Sequence, residues 1–76
     1  AMIQIYADND ISVIAGITSA LAEMRVPILQ INSRKLGEDE TAISLKFACK
    51  DTSHFNSVVS RLKNVPHVNT VIRGFN

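Results

Sequence analysis

The chain has 76 residues, a hydrophobic share of 46%, a charged share of 20% and a net charge of +1 at neutral pH. That material supplies one core and one domain, is too apolar for a disordered tail, and is too evenly charged to argue for a nucleic-acid or membrane surface. A single cysteine, Cys49, excludes an internal disulfide and fits a reducing, cytoplasmic setting, and no apolar run approaches the ~20 residues that cross a bilayer.

Ala1 reads as a cloning scar ahead of Met2, no cleavable secretion signal is expected, and the natural protein is expected to extend upstream. No repeat, linker or low-complexity stretch breaks residues 1–76, which are taken as one domain. "MIQIYA" alternates, with Ile3, Ile5 and Ala7 on one side and Gln4 and Tyr6 on the other, as in a half-buried strand. Asp10 then stands where a helix N-cap belongs. Behind it Ile14, Ile17, Leu21 and Met24 recur at spacings of three and four, one face of a helix. Pro27 pushes Val26 toward extended geometry, so that helix stops by about residue 25.

"ILQINSRK" reads as a second strand, Leu29 and Ile31 facing one way, Gln30, Asn32 and Arg34 the other. "LGEDE" is a polar turn in which Gly37 can supply a positive φ. "TAISLKFACK" alternates again: Ile43, Leu45, Phe47 and Cys49 inward, Ser44, Lys46 and Lys50 outward. "DTSHFNSVVSRLKN" is the clearest helix. Asp51 caps it, Phe55, Val58, Val59 and Leu62 form its stripe, and Arg61 and Lys63 suit its negative end. "VNTVIR" is a last short strand.

The order β-α-β-β-α-β predicts an α+β, ferredoxin-like sandwich: a four-stranded antiparallel sheet with two helices on one face. Right-handed crossovers put the first and third strands in the middle. The expected core sets Phe55, Val58, Val59 and Leu62 on Ile43, Leu45 and Phe47, completed by Ile14, Ile17 and Leu21.

Three classes of chemistry are weighed on the residues. For catalysis the chain offers one thiol, Cys49, which shares the inward face with Phe47, and two scattered histidines, His54 and His67, expected to be exposed. No nucleophile–base pair can be assembled from them, so no catalytic residue is assigned. Glu38, Asp39 and Glu40 suit a solvated hairpin turn better than a metal, and no CxxC motif or glycine-rich phosphate loop is present, so no metal or cofactor is expected. RNA-recognition domains share this element order and stack bases on sheet aromatics, but the outward face carries Tyr6 alone. Phosphate contacts through Arg34, Lys35 and Lys46 are the residue of that reading.

"IYADNDISVIAGITSALAEMRVPILQINSRK" followed by "TAISLKFACKDTSHFNSVVSRLKNVPHVNTVIR" resembles an ACT domain, most like the variety that ends RelA/SpoT-type (p)ppGpp synthetases and hydrolases. The matching pieces are the acidic turn before the first helix, "IT" in its first turns, "ILQINSR", "D-x-x-H-F" and the closing "V-x-x-V-x-R" strand. The resemblance implies a regulatory, non-catalytic domain of a GTP pyrophosphokinase that pairs with a second copy as a homodimer and contacts other domains of its parent. It also implies a small ligand, commonly an amino acid, at the corner between the first strand and first helix: Asn9, Asp10, Ile11 and Ser12 here. Many relatives carry Pro-Gly at that corner, where this chain has Ile11-Ser12; Ser12 bears a Cβ, and Asp10 repels a carboxylate. The corner is therefore expected to be a capped helix start before it is a ligand site. The alternatives are an amino-acid-binding ACT module of a biosynthetic enzyme, a free-standing regulator, and an RNA-binding domain.

Overall fold

The computed structural model describes residues 1–73. Its elements run β1 (Met2–Asp8), α1 (Ser12–Glu23), β2 (Ile28–Lys35), β3 (Glu40–Phe47), α2 (Thr52–Lys63) and β4 (Val68–Arg73). All strand pairs are antiparallel and the sheet order is β2-β3-β1-β4, so the first and third strands are central as the crossover rule requires. Both helices cover one face, where Ile3, Ile5, Ile43, Leu45 and Phe47 are sealed from solvent beneath Ile17, Leu21, Val58 and Leu62.

α2 forms where local chemistry demands it. Asp51 is extended (φ −162°) and its carboxylate accepts the His54 N–H at 2.8 Å, while His54 Nδ1 accepts the Lys50 N–H at 3.0 Å. Two free amides are thereby matched reciprocally, as in a capping box. His54, expected to be exposed, is half-buried and part of this cap. Phe55 stacks on Phe47 at 6.0 Å between centroids, and the Arg73 guanidinium lies 5.1 Å from the Phe55 ring while donating to Asn56 Oδ1 at 2.6 Å. The arginine of the "V-x-x-V-x-R" strand thus lids the aromatic end of the core.

α1 departs from the expected register. Val13, Ile17, Ala20 and Leu21 are its buried residues, whereas Ile14 is 36% exposed and Met24 only partly covered. The reason lies in Gly16: a Cβ there would stand 2.8 Å from Val65 Cγ1. The missing side chain lets α1 seat against the connection after α2, and that seating turns Val13 rather than Ile14 toward the sheet. Glu23 and Arg61 pair across the two helices. α1 ends with Arg25 in the left-handed region (φ 57°), Val26 N–H bonded to Leu21 O at 2.9 Å and Arg25 N–H to Ala22 O at 3.0 Å. That is a Schellman ending with arginine where glycine is usual, secured by burial of Val26.

β2 differs in one position. The register to β3 slips between Ile28 and Gln30, so Leu29 is bulged out and 60% exposed instead of facing inward with Ile31. Cys49 lies beyond the end of β3, half-buried against the core. Gly37 has φ 140° with open space around it, so its role in the hairpin turn is conformational.

Candidate functional site

The corner between β1 and α1 is built from three parts of the chain. Asn9 fixes it to the β2–β3 turn: its N–H donates to Asp39 O at 2.9 Å and its side-chain amide to Glu38 O at 3.2 Å. Glu38 and Asp39 therefore serve here through their carbonyls. Asp10 turns the chain into the helix. Its Oδ1 accepts the Ser12 N–H at 2.8 Å and the Ser12 hydroxyl at 2.6 Å, and its carbonyl accepts the Val13 N–H at 3.1 Å. Ile11, already at helical angles (φ −62°, ψ −22°), flanks the helix without capping it, so the cap belongs to Asp10 as expected.

His67, the third part, comes from the connection before β4. In the left-handed region (φ 73°), it accepts the Asp8 N–H on its carbonyl at 2.9 Å. Its ring lies between two carboxylates, Nδ1 at 3.4 Å from Asp8 Oδ2 and Nε2 at 3.7 Å from Asp10 Oδ2. Asn69 donates to Asp8 Oδ1 at 2.9 Å. The Asn69 hydrogen bond, then that of His67, holds the Asp8 carboxyl below its ordinary range; the Ser12 hydroxyl, then the Ser12 amide, does the same for Asp10.

All four expected ligand residues, Asn9, Asp10, Ile11 and Ser12, are thus brought together, and all four are exposed. Two of the amides that would receive an anion are satisfied by Asp10. Ile11 is 99% exposed, an apolar side chain set in water beside the corner, with Ile14 three residues on. His67, Asp8 and Asn69 escaped the sequence reading. The only signals were two acids spaced two apart after a strand and a histidine before the last strand, and their meeting depends on β4 returning beside β1. Among the described residues no group of three or more His, Cys, Asp or Glu side chains is placed to hold a metal ion, and no helix is long and apolar enough to cross a membrane.

A family model described as the ACT domain matches residues 1–73. No curated protein matches the chain significantly. Among solved structures, the crystal structure of the ACT domain from the GTP pyrophosphokinase of Chlorobium tepidum is similar, with a TM-score of 0.79 and 21% identity over 93% of this chain and 91% of that one. The solution structure of that domain gives a TM-score of 0.82 and 22% identity, covering 100% of this chain and 85% of that one. The C-terminal domain of the MgtC protein from Mycobacterium tuberculosis gives 0.70 and 15%, covering 92% and 79%. At such identities the likeness establishes a shared fold.

Proposed function

We propose that this chain, which belongs to the ACT-domain family, is the non-catalytic regulatory domain of a cytoplasmic GTP pyrophosphokinase, an enzyme of (p)ppGpp metabolism in the stringent response. The observation that supports this reading is the likeness to the Chlorobium tepidum domain along the whole chain, together with the ordered pieces from "D-x-x-H-F" to the closing arginine strand. The corner supports regulation by contact over regulation by a free amino acid. Asp10 is a capping carboxylate held in place at all times, so a weak anionic ligand must displace it or approach beside it.

The partners we assign are a second copy of the chain and neighbouring domains of the parent. β2 is an edge strand with unpaired backbone groups, and the exposed Leu29, Ile11 and Ile14 give apolar area to cover. Expression of the complete parent, with and without residues 2–73, tests the reading. Pyrophosphate transfer from ATP to GTP, or hydrolysis of (p)ppGpp, should persist after the deletion while its regulation changes. A parent with neither activity refutes it. For the isolated domain, amide shifts at Asn9 to Val13 should stay flat with each of the twenty amino acids, and sedimentation should show a dimer at high micromolar concentration. Saturable shifts there would favour an amino-acid-binding ACT module instead.

A further inference from the structure

The face of the sheet turned away from the helices is not flat. β3 presents Ala42, Ser44 and Lys46 there, between Tyr6 and Gln4 of β1 and Arg34 and Asn32 of β2. The middle strand carries the small residues and the flanking strands the long ones, so a groove runs along β3 with two strand spacings between its walls, ~9–10 Å. Ala42 records this shape: it is only 6% exposed although it lies on the water side and outside the core cluster, because Tyr6 and Arg34 rise on either side of it. The depression over Ala42 and Ser44 measures about 380 Å³ and continues into a smaller one of about 140 Å³ toward Lys46. The first lies near the lower end of small-molecule sites, ~300–1,000 Å³.

Its chemistry is graded along its length. At one end an aromatic ring, Tyr6, stands across from a guanidinium, Arg34. In the middle two amides, Gln4 and Asn32, flank Ser44, whose hydroxyl donates to Gln4 Oε1 at 3.0 Å and holds that amide over the floor. Lys46 stands at the other end. The nearest acids on this face, Asp8 and Glu40, pair one step beyond the Tyr6 row, outside the lining. A ring to stack on, side-chain amides to read a polar edge, and two cations with no acid between them suit a flat heterocycle carrying an anionic group.

We propose that this groove is a binding site for a mononucleotide, with the base over Ala42 between the Tyr6 ring and the Arg34 guanidinium, its edge read by the Gln4 and Asn32 amides, and the phosphate on Lys46. The site lies on the opposite face of the sheet from both helices and stands apart from the regulatory reading above. Because it is open on one side, affinity is weak, ~0.1–1 mM.

Titration of the isotope-labelled chain with AMP, GMP, CMP and UMP, beside inorganic phosphate, tests the assignment. At least one nucleotide should give saturable amide shifts at Tyr6, Asn32 and Ala42 to Lys46, with purines stronger than pyrimidines, and phosphate alone should be at least tenfold weaker. Lys46→Gln should weaken binding about tenfold, and Ala42→Val, which fills the floor while favouring the strand, should abolish it with the fold confirmed by an unchanged spectrum elsewhere. Flat titrations, equal shifts with phosphate alone, or binding that survives Ala42→Val would each overturn it. Saturation by a single-stranded oligonucleotide with none by mononucleotides would overturn it in favour of a nucleic-acid face.

Discussion

Both helices open on an aspartate with a histidine beside it, yet the two starts are assembled in opposite ways. At α2 everything is within five residues: Asp51 takes the His54 amide and His54 takes the Lys50 amide. At α1 the histidine arrives from 59 residues away, and the carboxylates it meets are shared among the helix, the end of β1 and Asn69. The first is a local device that any chain with those letters would form. The second exists only after the sheet has closed, so it is a tertiary joint that reports on the position of β4.

The largest effect that sharpens this contrast is loss of the common foundation. Leu62 is wholly buried, and Leu62→Ala should cost roughly 2–5 kcal/mol, comparable to the whole stability of so small a domain. Denaturant unfolding checks it, and a midpoint within experimental scatter of the parent would refute the packing of α2. Next comes Gly16→Ala. The added Cβ meets a short, stiff valine side chain at 2.8 Å, so overpacking of ~1–3 kcal/mol outweighs the ~1 kcal/mol gained in helix propensity. The variant should melt lower than the parent; a higher melting point would show that α1 does not rest on Val65. Asp51→Ala should cost about 1 kcal/mol and fray only the start of α2, read as faster hydrogen exchange at His54 and Phe55 with α1 unchanged.

Acid separates the two starts most finely. Asp8 and Asp10 titrate below the ordinary carboxylate range in the folded chain. Their contribution is therefore present above the unfolded value of ~3.9 and is lost as pH falls through the lower folded values. Lowering the pH through that window should loosen the β1–α1 corner and reduce stability. Replacing both residues by asparagine should flatten this part of the pH–stability curve, and an unchanged curve would show that the joint contributes nothing.

What could be read in the sequence follows the same division. Alternation placed Ile3, Ile5, Ile43, Leu45 and Phe47 inward, and the Asp51 cap and the α2 stripe held position for position, because each depends on neighbours in sequence. The rotation of α1 depends on one absent side chain meeting Val65, a contact that no helical period encodes. The Leu29 bulge depends on pairing with β3. Asn9, Asp10, Ile11 and Ser12 were legible as a corner because a polar turn before an apolar period is a local signal. His67 was not, since its place is set by the return of the last strand and by a left-handed backbone that a non-glycine residue seldom adopts.

The pairing of β1 with both β3 and β4 has a consequence for how the chain comes into being. The strand made first is the one that waits longest, because its second neighbour, Val68–Arg73, is synthesised after every other described element. Until those residues leave the ribosome, one side of β1 stands open beneath α2, and the aromatic end of the core has no arginine lid. Folding that depends on such distant pairing is slow to begin and abrupt to finish. A chain that ends at residue 67 should remain open to proteases along its length, and one that runs on through the six residues of β4 should be shut.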